Sequence, residues 1–174
     1  MVSDNSEGYI AFAGGHDDIV LAYGIDSACA LSSVYSHRDA VTGIDIIPFT
    51  APQPQKPESG THLMVSGSWD ATVKLWSVVI DGGETVSINR DPVEEFYDAD
   101  STIICVALVE VEDNCVAVCA GCSDGSLIVW IRDSSGGMFF YLSQQNILEL
   151  MKFLFLKLFF DLCCRPKIAF QRRL

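Results

Sequence analysis

The chain has 174 residues, 49% of them hydrophobic, and a net charge of −12. That length and apolar content exclude general disorder and allow one domain with a real core. The charge is unevenly spread: residues 1–149 carry 22 acidic and 5 basic side chains, residues 150–174 one acidic and 6 basic. An acidic body repels phosphates, which argues against a nucleic acid as partner.

The chain opens "MVSDNSEG", with no basic stretch and no apolar run. This is not a secretory signal, and residues 1–7 are expected to be disordered. Without a signal, the seven cysteines are expected to stay reduced in the cytoplasm.

Three segments then share one pattern: "GGHDDIVLAY" at 14–23, "GSWDATVKLW" at 67–76 and "GCSDGSLIVW" at 121–130. Gly14, Gly67 and Gly121 coincide, as do Asp17, Asp70 and Asp124 and the closing aromatics Tyr23, Trp76 and Trp130. The copies lie 53 and 54 residues apart, which is the mark of an internal repeat. An apolar β-branched run precedes each turn, and another comes after it and ends in the aromatic. That is a β-hairpin, with an aspartate able to accept hydrogen bonds from turn amides.

Further strands are expected upstream of the second and third hairpins, in "YSHRDAVTGIDIIP" (35–48) and "YDADSTIICVALVEV" (97–111). Segments 28–35, 84–90 and 137–142 can each add one more. The unit is therefore four short antiparallel strands. Between strands, "TAPQPQKPESG" (50–60) reads as a flexible Pro-rich loop or a short docking motif, and "DPVEEFYDAD" (91–100) as a solvated acidic face or a surface for a basic partner.

These residues resemble the WD-repeat β-propeller family. "VSGSWDATVKLW" matches its pattern, with Ser36-His37 in place of Gly-His and Trp76-Ser77 in place of Trp-Asp. The resemblance implies a buried hydrogen-bonded tetrad of His37, Ser66 or Ser68, Asp70 and Trp76. The other copies are degenerate: Asp98 stands where the third would have histidine, and Tyr23 replaces tryptophan in the first. Within the family, "HRDAVTGIDI" together with "SGSWDATVKLWSVV" is similar to the C-terminal WD repeats of BEACH-domain proteins. The fold implied is all-β, a partial WD-repeat propeller of about two and three-quarter blades (about 8–35, 37–97 and 98–142) with a helical tail. A propeller closes with ~4–8 blades. The chain is thus expected to be a piece of a longer protein, or a truncated gene product without independent function, with open edges able to pair with another chain or with missing blades.

From Ile147 the pattern stops. "ILELMKFLFLKLFFDLCC" is apolar but interrupted by Glu149, Lys152, Lys157 and Asp161, so a membrane span is not expected. Residues 143–174 read as a helical, apolar and basic tail. It would be an aberrant end, a cover for an open edge, or a membrane-surface helix.

Three clusters have the residue types of a chemical site. His37, Ser66 and Asp70 could form a hydrolase triad, but the structural tetrad uses the same residues and leaves no room for substrate. Cys115, Cys119 and Cys122 have a spacing that hints at zinc, yet Cys119 aligns with Val65 inside an apolar strand, and no fourth ligand lies near. His16, Asp17 and Asp18 occupy a turn. No cofactor and no metal is expected. Trp69 precedes the turn aspartate at a position that the family places on the top rim, with His16 and Ser123 as its counterparts and Arg38 and Asp39 beside it. It is either a partner-binding residue or a packing contact with the next blade. The expected function is a non-catalytic protein–protein interaction scaffold. It would be the WD-repeat part of a BEACH-like adaptor in receptor signalling or membrane traffic, cytoplasmic and membrane-associated only through partners.

Overall fold

The computed structural model describes residues 8–48, 60–81, 85–111 and 115–132. The expected start (1–7), most of the Pro-rich loop, the strand at 137–142 and the tail at 143–174 lie outside the described residues. The described part is all-β. Eleven strands run β1 (Ile10–Gly14), β2 (Ile19–Gly24), β3 (Cys29–Tyr35), β4 (Val41–Pro48), β5 (Thr61–Ser68), β6 (Val73–Asp81), β7 (Thr85–Ile88), β8 (Glu94–Phe96), β9 (Ile103–Val111), β10 (Cys115–Cys122) and β11 (Leu127–Arg132).

The strands form three antiparallel sheets in sequence order: β1-β2-β3, then β4-β5-β6-β7 with β8 also on β6, then β9-β10-β11. In the second sheet β7 and β8 are two halves of one outer strand. β7 pairs with Val78–Asp81 of β6, and β8 pairs with Val73–Leu75. Asn89 N and Val93 N still donate to Ser77 O and Leu75 O, at 3.2 and 2.7 Å. Pro92, between them, has no N–H to give, so the strand bulges there. The stretch 91–100 is therefore more than a solvated acidic face: Phe96 is buried and stacks against Trp130 at 4.7 Å. A run of acidic residues around one buried aromatic hid this strand from the sequence pattern.

Period-2 alternation decides how the sheets stack. On β5, Met64 and Ser66 point one way and Leu63 and Val65 the other, and both faces are buried. One face, with Trp76, Val78 and Val86, packs on Val20, Ala22 and Val34 of the first sheet. The opposite face, with Val73, Leu75 and Phe96, packs on Ile103, Leu108, Val118 and Trp130 of the third. Each fully buried apolar side chain of this size contributes about 1.5–3 kcal/mol, so these two seams dominate stability. The second sheet is the middle of a stacked arc, and the fold is a partial propeller.

Polar ties fix the wedge between the inner strands β4 and β9. Asp45 Oδ2, on β4, accepts from Leu108 N at 2.8 Å, and Thr42 Oγ1 donates to Ile103 O at 2.7 Å. Close approach here requires glycine. A Cβ on Gly67 would sit 2.6 Å from Val106 Cγ1 and 2.7 Å from Ile103 Cγ2. We expect Gly67→Ala to cost roughly 1–3 kcal/mol by overpacking this seam. Gly15→Ala, whose Cβ would meet nothing closer than Asp17 Oδ1 at 3.5 Å, should be near neutral. Urea denaturation of both variants measures the difference.

Candidate functional site

The loop between β3 and β4, residues 36–40, lies between two hairpin turns and is bonded to both. Ser36 N donates to Asp18 O and Val41 N to Gly15 O, each at 2.9 Å. Trp69 N donates to Ala40 O at 3.0 Å, and Arg38 N to Asp70 Oδ2 at 2.9 Å. This places His37, 9% exposed, between the first and second sheets.

From there a single relay runs inward. Trp76 Nε1–H donates to Ser66 Oγ at 2.9 Å, and Ser66 Oγ lies 2.8 Å from His37 Nε2. His37 Nδ1 lies 2.9 Å from Thr72 Oγ1 and 3.3 Å from Asp70 Oδ2. Thr72 gives its own hydroxyl proton to Asp70 Oδ1 at 2.6 Å and its N–H to the same oxygen at 2.9 Å. Thr72 Oγ1 must then accept from His37 Nδ1–H, which leaves Nε2 to accept from Ser66 O–H. The network thus assigns the neutral Nδ1–H tautomer.

Electrostatics agree with that assignment. Burial pushes the His37 imidazole below its usual 6.5, against the opposing pull of Asp70. The 3.3 Å approach of the two is therefore a contact of a neutral ring with a carboxylate rather than an ion pair. At Asp70, burial favours the protonated form, but the donors Arg38 N–H, Thr72 O–H and Thr72 N–H outweigh it and hold the carboxyl below 3.8.

His37, Ser66, Asp70 and Trp76 are thus brought together. Ser68 is not in the relay: its hydroxyl donates to Asp39 O at 2.9 Å and accepts from Asp70 N at 3.0 Å. Thr72 is in it, although the sequence pattern did not single it out. The signal was an Asp-x-Thr spacing that recurs as Asp124-x-Ser126, where Asp124 Oδ1 accepts from Ser126 N at 2.9 Å and Ser126 Oγ at 2.7 Å. Between them the backbone turns left-handed at the same place in all three hairpins, at Asp18 (φ 61), Ala71 (φ 64) and Gly125 (φ 85).

The degenerate copies solve the same problem differently. Trp130 Nε1 donates directly to Asp98 Oδ2 at 2.8 Å, so one carboxylate stands in for the serine and histidine. Tyr23 and Asp17 are both solvent-exposed.

His37, Ser66 and Asp70 do have the order of a hydrolase triad. Ser66, however, is 0% exposed, and its oxygen already accepts from Trp76. A substrate carbonyl has no route to it. The cysteines do not converge either: Cys115 and Cys119 lie on one face of β10 and Cys122 on the other, because strand side chains alternate. Among the described residues no three potential metal ligands cluster.

On the rim formed by these turns, Trp69 is 43% exposed, and its ring meets the His16 ring edge-on at 5.1 Å and 73°. It therefore packs across to the neighbouring sheet and still presents a face to solvent. Arg38, Asp39 and Ser123 are exposed on the same rim.

No model of a known protein family matches the chain. Over 63 residues it is 29% identical to the U4/U6 small nuclear ribonucleoprotein PRP4 of Saccharomyces cerevisiae, covering 36% of this chain and 11% of that protein. Over 75 residues it is 28% identical to the periodic tryptophan protein 2 homolog of Caenorhabditis elegans, covering 43% of this chain and 7% of that protein. The chain therefore spans about a tenth of the length of these relatives. A solved structure of U3-55K is similar with a TM-score of 0.45 and 20% identity, over 76% of this chain and 35% of that one. These similar proteins are WD-repeat proteins.

The network makes two outcomes testable. Ser66→Ala leaves the Trp76 N–H and His37 Nε2 buried without partners and should cost roughly 2–3 kcal/mol in denaturant unfolding. Acid should also destabilise the fold in two steps. Because His37 binds its proton less readily when folded, stability falls as pH drops through 6.5 toward its folded value. Because Asp70 is held ionised, its contribution is present above 3.8 and lost as pH falls through its lower folded value. Thermal midpoints measured from neutral pH downward should show the first step, and His37→Gln should remove it.

Proposed function

We propose that this chain is a non-catalytic protein–protein interaction scaffold that uses the rim around Trp69. The observation that carries this reading is a division of labour. His37 and Ser66 are buried and bonded to each other, with Asp70 half-buried beside them, whereas Trp69 is partly exposed, anchored by its N–H on Ala40 O and flanked by His16. Tryptophan held in this way is the residue type that dominates interface energetics.

The setting is drawn from sequence resemblance. The similarity of "HRDAVTGIDI" and "SGSWDATVKLWSVV" to the C-terminal WD repeats of BEACH-domain proteins, in particular to the factor associated with neutral sphingomyelinase activation, supports an adaptor in receptor signalling or membrane traffic. Such an adaptor is cytoplasmic and reaches membranes through its partners. Its partners are proteins.

Trp69→Ala tests this. Proteins that co-purify quantitatively with the wild-type chain from cells should be lost with Trp69→Ala, which removes a contact of about 2 kcal/mol or more, roughly thirtyfold in affinity. An unchanged set of bound proteins contradicts the rim assignment. Labelling of Ser66 by a fluorophosphonate probe in the folded chain would favour a hydrolase instead.

A further inference from the structure

Strand pairing gives the stacked sheets two ends. The described chain is interrupted at one of them only, after Pro48, Asp81, Val111 and Arg132. The other end is the rim that carries Trp69. Its connections among the described residues, 15–18, 36–40, 69–72, 97–102 and 123–126, are continuous. They are also tied to one another: Trp69 N donates to Ala40 O at 3.0 Å and Ser123 N to Thr102 O at 2.9 Å.

Two exposed rings stand on this rim, Trp69 at 43% and Tyr97 at 67%. The charge around them has one sign. Seven aspartates lie in these connections, against one guanidinium, that of Arg38. Asp17, Asp39, Asp98, Asp100 and Asp124 are exposed. Lys74, just below the rim on β6, adds no net charge, because it pairs with Glu95 at 3.3 Å. The aspartates surround the indole. Asp70 follows Trp69 in the chain, Asp39 precedes Ala40, whose carbonyl takes the Trp69 N–H, and Asp17 follows His16, whose ring meets the indole at 5.1 Å.

An indole face attracts cations through its quadrupole, and neighbouring carboxylates reinforce that attraction. An anionic partner is repelled here. An uncharged apolar partner would cover carboxylates without pairing them. Guanidinium or ammonium groups satisfy both features, since they stack on rings and pair with carboxylates. We propose that the partner seated on Trp69 is an arginine- or lysine-rich protein segment. One cationic side chain lies across the indole, and its neighbours pair with the exposed aspartates. The inference rests on the reading of this rim as the interaction surface.

The test uses a fluorescein-labelled peptide of alternating Gly and Arg and its Gly–Glu counterpart. Each is titrated with the full 174-residue chain and followed by fluorescence anisotropy. The Arg peptide should bind and the Glu peptide should not. Trp69→Ala should weaken the Arg peptide roughly tenfold, through loss of the ring contact. Asp17→Asn with Asp100→Asn leaves Trp69 in place and should weaken it several-fold. This pair decides the matter if Trp69→Ala loses its β-sheet circular dichroism. Asp81→Asn with Glu110→Gln removes the same charge at the opposite end and should change nothing. Equal weakening by both pairs, or a folded Trp69→Ala that binds like the wild type, would mean attraction by net charge alone and overturns the proposal. So does a wild type that does not bind the Arg peptide. If cellular proteins are still lost with Trp69→Ala in that case, the scaffold reading stands and only its basic partner falls.

Discussion

The structure depends on one oxygen atom. Ser66 Oγ, in the middle of β5, accepts the indole N–H of Trp76 and bonds the imidazole of His37. Buried polar groups are costly unless paired, so the atom is useful only when all three residues are placed together. Through it the β5–β6 hairpin is joined to the loop that carries the chain out of the first sheet. Because that loop also bonds the first hairpin turn through Ser36 and Val41, the seam between two sheets is closed by polar contacts at its rim and by Met64, Trp76 and Val20 within.

The three hairpins show how much of this device can be replaced. All keep the aspartate and the left-handed residue after it, because a tight turn requires them whatever lies below. The second keeps the full relay. The third shortens it to one hydrogen bond, Trp130 to Asp98. The first has a tyrosine where the others have a buried tryptophan, and that face is exposed. The presence of an acceptor therefore follows burial of the aromatic: an indole N–H out of water needs one, and a phenol at the surface does not.

The turns and hairpins were legible in the sequence because their chemistry is local. Gly, Asp and a closing aromatic recur within ten residues, and alternation on either side gives the strands. Burial of His37 and Ser66 was legible only through resemblance to a known repeat. The rest required partners distant along the chain. Thr72 is an ordinary turn residue until His37 is brought to it from 35 positions away. Asp45 looks like an exposed strand position, but its carboxylate takes an N–H from Leu108 on the neighbouring sheet. The strand at Glu94–Phe96 was hidden because two carboxylates and a proline outweigh one buried phenylalanine in any pattern count.

Ser66 and Trp76 are sealed architecture, whereas Trp69 is a tryptophan open to solvent. Hydrogen exchange at the indole N–H groups, observed by nuclear magnetic resonance, tests this directly. Trp76 Nε1–H should exchange only with global unfolding, while Trp69 Nε1–H exchanges within the dead time. Fast exchange at Trp76 under native conditions would contradict a sealed relay, since it would mean that Ser66 is within reach of water and of substrate.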